Sequence, residues 1–224
     1  MARVFLADKH RGRQLLIGIT LLLFIIGGWF YPPIGYFLLV CMIGAMGIGI
    51  FKGRNWCDWM CPRGSFWDRY LSPLSRKARV PGFFRSVYFR LFWLGVLMTV
   101  LTVNLIPIWG DYYKMGRPFV MILTVTTIVG LVLGIIYNHR IWCMFCPMGT
   151  MANWLGKKKL PLYVSDSCVN CGACAKVCRM QIDPGQYREY GVVKNGDCLK
   201  CSYCVEACPQ HALSFDQKEG AKAA

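Results

Sequence analysis

Acidic residues and histidines are scarce in this chain: 11 Asp and Glu stand against 26 Lys and Arg, with 3 histidines at positions 10, 139 and 211. No histidine is central in an apolar stretch, which disfavours a membrane cytochrome that holds haem between paired histidines. The apolar stretches carry no acidic residue in their interiors, so an ion-transport relay has little to run on. Charge of either sign is missing from Leu15–Phe30, Ile34–Phe51 and Phe119–Tyr137, and Arg90 is the one charge in Val87–Pro107.

Those four intervals carry much of the 55% hydrophobic content and the mean hydropathy of +0.38. A helix needs about 20 residues to cross a bilayer core of roughly 30 Å, so the intervals predict four transmembrane helices, about 15–30, 34–51, 87–107 and 119–137. Too little polar chain remains to cover four all-round apolar helices in a soluble protein. Arg90, near the start of the third, is expected to snorkel toward headgroups. The first stretch has no small-residue cleavage site and runs through Tyr31-Pro32-Pro33 into the next, unlike a signal peptide.

The basic residues fall into three groups. Arg3, Lys9, Arg11 and Arg13 precede the first span. Lys52, Arg54, Arg63, Arg69, Arg76, Lys77, Arg79 and Arg85 separate the second from the third, against Asp58 and Asp68. Arg140 and Lys157-Lys158-Lys159 follow the fourth. All three groups fall on one side, which the positive-inside rule makes cytoplasmic, with both termini inside a prokaryotic inner membrane. Residues 163–224 hold seven basic and seven acidic side chains, so the net charge of +15 is juxtamembrane and faces anionic lipid rather than nucleic acid.

Eight of the 13 cysteines form two runs, Cys168, Cys171, Cys174, Cys178 and Cys198, Cys201, Cys204, Cys208, each spaced C-x2-C-x2-C-x3-C. This spacing predicts two 4Fe–4S clusters, with the fourth cysteine of each run serving the other cluster. One set is then Cys168, Cys171, Cys174 and Cys208, and the other Cys198, Cys201, Cys204 and Cys178. A reducing compartment argues against disulfides, and zinc pairs are normally set further apart. Gly172 permits a tight ligand loop. Cys208 is followed by Pro209, whereas Cys178 is followed by Arg179, a departure that could bear on potential or docking. Residues 179–197 form an insertion with a short hairpin expected around Tyr190–Lys194.

Four further cysteines follow the span pairs: Trp56-Cys57-Asp58-Trp59-Met60-Cys61-Pro62-Arg63-Gly64 and Trp142-Cys143-Met144-Phe145-Cys146-Pro147-Met148-Gly149. Trp-Cys, an aromatic, Cys-Pro and Gly recur, with C-x3-C in the first and C-x2-C in the second, as in a duplicated helical hairpin. Cys57, Cys61, Cys143 and Cys146 could together hold a metal or a third iron–sulfur cluster, act as two dithiols, or pack helix ends. Cys41 reads as a small packed hydrophobe. A quinone could bind between helices, with His139 or Asp111 as proton-transfer candidates.

These motifs together resemble the NapH/NosR-type polyferredoxin membrane proteins over nearly the whole chain, without the long flavin-bearing domain of the larger members. The resemblance implies two 4Fe–4S centres on the eight ferredoxin cysteines and electron transfer between the quinol pool and a redox enzyme. The expected architecture is a transmembrane domain of two repeated helical hairpins over 1–160, a small α+β bacterial-type dicluster ferredoxin domain over 161–216, and a flexible tail over 217–224. The expected role is an electron-transfer subunit of a membrane redox complex, not a catalyst alone; the alternative is an electron-supplying maturation factor for a respiratory metalloenzyme.

Overall fold

The computed structural model describes residues 2–156 and 159–215, so the expected tail lies outside the described residues. Helix α1, Ala2–Phe30, is extended past its apolar stretch by the basic segment before it. It stops at Tyr31, and Pro32 opens a 3-10 turn, Pro32–Tyr36, because proline cannot donate to the preceding turn. Helix α2, Phe37–Lys52, ends at Gly53, whose φ of +62 is left-handed. Two short helices, α3 (Trp56–Trp59) and α4 (Pro62–Phe66), carry the first cysteine motif and pass into a π-helical turn, Trp67–Leu71.

Helix α5, Val87–Leu105, starts at Ser86, whose Oγ accepts from Phe89 N at 3.2 Å and satisfies one of the free N–H groups of the first turn. Helix α6, Gly116–Ile136, returns along the bundle. The second cysteine motif spans α7 (Ile141–Phe145) and α8 (Pro147–Gly156). Four stretches are long and apolar enough to cross a membrane, and from 0% to 33% of each is buried within the protein. Apolar side chains such as Leu23, Phe30, Ile43, Phe92, Val103 and Ile128 point outward. That is the arrangement a lipid solvent favours, and it leaves the packed core elsewhere.

The core sits at the end of the bundle where the cysteine motifs emerge. Trp67, Ile141, Trp142, Met144 and Phe145 are almost wholly buried there, continuous with Met180, Leu199 and Leu213 of the C-terminal part. Trp93, Trp142 and Phe145 meet edge to face, with ring centroids 5.0–5.9 Å apart.

In the C-terminal part, β1 (Tyr163–Val164) pairs antiparallel with β2 (Leu213–Ser214). The insertion does not form the expected local hairpin. A 3-10 helix covers Pro184–Tyr190, and the chain then adds to the other side of β1, with Val164 N donating to Gly191 O at 2.9 Å and Val193 N to Leu162 O at 2.9 Å. The β1 segment offered unpaired backbone groups that a two-strand hairpin at Tyr190–Lys194 would have left unused. Helices α9 (Ala173–Val177) and α10 (Tyr203–Glu206) each follow the second cysteine of a run.

Candidate iron–sulfur sites

The two ferredoxin runs fold alike. In the first, Asn170 and Gly172 have φ of +51 and +72; in the second, Lys200 and Ser202 have +57 and +67. Each run ends in the same turn. Ile182 N donates to Cys178 Sγ at 3.3 Å, and Ala212 N to Cys208 Sγ at 3.4 Å. Such N–H···S bonds stabilise negative charge on sulfur and raise the potential of a cluster it ligates.

Cys168, Cys171, Cys174 and Cys208 line one small cavity, bringing the last cysteine of the second run to the first three of the first. The sulfurs of Cys198, Cys178 and Cys174 all act electrostatically on Cys204, which lies near members of both sets. Burial, followed by these neighbouring sulfurs, pushes the Cys204 thiol up to about 12. Burial likewise raises Cys174, Cys198 and Cys201, while backbone N–H groups at Lys200 and Tyr203 pull the last two back. Thiols this buried are compatible with ligands that are deprotonated only when iron takes the proton's place. Among the described residues no three His, Cys, Asp or Glu side chains converge on a point for a single metal ion. Thiolates that each take a different iron of a cubane do not need to.

The membrane-side cysteines share a second environment. Cys57, Cys61, Cys143 and Cys146 line a cavity of about 120 Å³ whose other wall is apolar, from Leu21 and Phe24 through Phe119 and Leu123. Half-buried Cys41 lines it too. The spacing difference between the motifs is absorbed locally. Cys146 N donates to Trp142 O at 2.9 Å, a four-residue step, and Cys61 N donates to Trp56 O at 3.0 Å, a five-residue step. The extra residue thus makes a wide turn, and both second cysteines hang from the carbonyl of the tryptophan that opens their motif.

Three residues lining this cavity carry buried N–H groups with no hydrogen-bond acceptor among the described residues: Arg54 Nε, Arg63 Nε and Trp142 Nε1. Each unmet donor costs about 1–3 kcal/mol. An anionic, sulfide-rich group held by four thiolates fits this wall, since it supplies acceptors and negative charge beside Arg54 and Arg63.

The sequence marks the arginines only as topology signals; the structure gives two of them a place between the cysteine motifs. Arg54 and Arg140 each precede a Trp-Cys pair by two residues, and each reaches into the other motif. Arg140 Nη1 donates to Cys57 O at 2.9 Å, and Arg54 Nη2 donates to Cys143 O. The glycine of each Cys-Pro-x-Gly makes room for this crossing. A Cβ on Gly149 would sit 2.5 Å from Arg54 Nη2, and one on Gly64 would sit 2.9 Å from Arg140 Nη1. The signal in sequence was the arginine repeated two positions before each Trp-Cys.

Both arginines are also tied to the ferredoxin part. Asp197, next to Cys198, accepts from Arg54 Nη1 at 2.8 Å and from Arg90 Nη2 at 2.6 Å. Arg90 is therefore not a snorkelling residue: it is 7% exposed and turned inward, because a buried carboxylate offers it more than the headgroup layer does. On the opposite flank, Asp58 and Asp68 hold Arg140 and Arg179. Arg179, standing where the second run has proline, also donates to Tyr203 OH at 2.7 Å and lies over that ring. His139 Nε2 lies 3.5 Å from Asp68 Oδ1, in this network and away from the four-cysteine cavity. Asp111 pairs with Lys114 in the exposed loop between α5 and α6.

Comparison with known proteins follows the same division. A family described as a 4Fe–4S binding domain matches twice, at residues 34–81 and 118–163, each match containing one cysteine motif. A 4Fe–4S dicluster domain matches residues 167–213. The chain is 25% identical to the ferredoxin-type protein NapH of Escherichia coli over 207 residues, covering 82% of this chain and 71% of that one. The chain is similar to the NapH-type polyferredoxin proteins. It is also 20% identical over 200 residues to the putative electron transport protein YccM of Escherichia coli, covering 80% and 55% of the two chains. An uncharacterized protein of Methanocaldococcus jannaschii is 24% identical over 196 residues, covering 80% and 78%. No solved structure matches the chain. It is an iron–sulfur electron-transport protein with four apolar helices and a dicluster ferredoxin domain.

Proposed function

We propose that the protein is an electron-transfer subunit of a membrane redox complex, seated in a prokaryotic inner membrane with its termini and ferredoxin domain (residues 161–216) cytoplasmic. Cys168, Cys171, Cys174 and Cys208 hold one 4Fe–4S cluster; Cys198, Cys201, Cys204 and Cys178 hold the second. Cys57, Cys61, Cys143 and Cys146, two from each repeated hairpin of the transmembrane domain (residues 1–160), hold a third centre. When bound, these clusters supply one-electron chemistry.

The observation that carries this reading is the continuity of the three cysteine sets. Asp197, adjacent to Cys198, is joined by Arg54 to the carbonyl of Cys143, so the ferredoxin domain is docked through residues beside its own ligands and beside the membrane-side cysteines. Exposure of Cys171 and of nearby Val169 supports approach of a protein partner at the first set. The apolar wall of the four-cysteine cavity suits a lipophilic electron carrier such as quinone.

Iron and acid-labile sulfide per chain, measured on anaerobically purified protein, test the reading. About twelve irons, four for each of three cubanes, are expected, falling to about eight in Cys57→Ser and in Cys143→Ser. About eight in the wild type, unchanged in both variants, would refute the third centre.

A further inference from the structure

Arg54 and Arg140 are fully buried, come from different halves of the chain, and each hydrogen-bonds the carbonyl of the first cysteine in the opposite motif. Arg140 Nη1 also lies 3.7 Å from Cys143 Sγ. Arg140 thus presents its positive charge to this sulfur, and Arg54 reaches the backbone carbonyl of the same residue. Each arginine is held by its own carboxylates: Asp197 for Arg54, Asp58 and Asp68 for Arg140.

A buried positive charge beside a centre that accepts an electron stabilises the reduced, more negative state, and a carboxylate behind that charge weakens the effect. We propose that Arg54 and Arg140 are positioning residues that set the reduction potential of the four-cysteine centre, and that Asp197 moderates Arg54 so that this potential responds to the docked ferredoxin domain. The inference rests on the third-centre reading given above.

The experiment is an EPR-monitored redox titration of the full-length protein, following the signal that Cys57→Ser abolishes. Arg54→Gln and Arg140→Gln remove a positive charge and are expected to move that signal to more negative potential. Asp197→Asn frees the Arg54 charge and is expected to move it the opposite way. Arg54→Lys keeps the charge and is expected to stay near the wild type. Opposite shifts are the decisive result, because damage to packing would push Arg54→Gln and Asp197→Asn in the same direction. Shifts of the same sign, or an unmoved signal in variants with wild-type iron content, would overturn the proposal. Should Arg54→Gln fail to fold, Asp197→Asn and Arg54→Lys carry the same comparison. A wild-type protein with no Cys57-dependent signal would instead overturn the third-centre reading, and this inference with it.

Discussion

Ser202 holds φ at +67 in the place where the first ligand loop has Gly172 at +72. A side chain in the left-handed region costs about 1–2 kcal/mol, which Gly172 avoids and Ser202 does not. Ser202→Gly is therefore expected to stabilise the ferredoxin domain by about 1 kcal/mol, less the entropy that glycine adds to the unfolded chain, read as a raised thermal midpoint. Cys204 leads to a pH prediction. Its thiol rises from 9.0 to about 12 in the folded, cluster-free protein, chiefly by burial. The folded state then holds a proton that the unfolded state gives up. Its contribution to stability is whole below pH 9 and is lost between pH 9 and about 12. Denaturant titration of the cluster-free protein across that window checks the sign. Cluster insertion, which must expel such protons, is expected to become more favourable as pH rises.

Among the elements, the paired cysteine turns are sensitive to small changes. A methyl group on Gly64 meets both Cys57 O and Arg140, and one on Gly149 meets Arg54. Gly64→Ala and Gly149→Ala are each expected to cost about 1–3 kcal/mol through overpacking and to lower iron retention, measured as unfolding midpoint and iron per chain. These turns also mark how far the sequence could be read. Cysteine spacing and apolar runs are local patterns, and they point to the ferredoxin loops and the four long helices. The first helix starts at Ala2 rather than near residue 15 because its basic segment continues the same coil beyond the apolar part. The wide turn at Cys61 was not legible, since whether an extra residue displaces a cysteine or is absorbed depends on backbone bonding. The crossing of Arg54 and Arg140 was not legible either, because each finds its partners more than 70 residues away.

At the scale of the molecule, two buried ionic groups join the membrane helices to the ferredoxin part. Arg179 and Tyr203 meet Asp58 and Asp68 on one side, and Asp197 meets Arg54 and Arg90 on the other. Breaking a buried pair leaves a charge without compensation, at a cost of about 3–5 kcal/mol. Arg179→Ala is expected to fall at the lower end, since Arg140 still faces both carboxylates and Arg179 is 18% exposed. Faster tryptic cleavage of the detergent-solubilised protein, with the helices intact by circular dichroism, is the expected readout. That the departure from proline after Cys178 concerned docking was half visible in the sequence. Its partners, Asp58 and Asp68, could not be named there, because they lie more than 100 positions away in the sequence.

The long reach of Arg54 has a consequence for how the chain is made. Arg54 and Asp197 are 143 positions apart, so a ribosome has long finished the first two helices before their counter-charge exists. Until then Arg54 and Arg90 must remain in contact with water or headgroups, and the buried junction cannot close. The order of synthesis thereby leaves this junction open until the ferredoxin part, made after the helices, supplies Asp197.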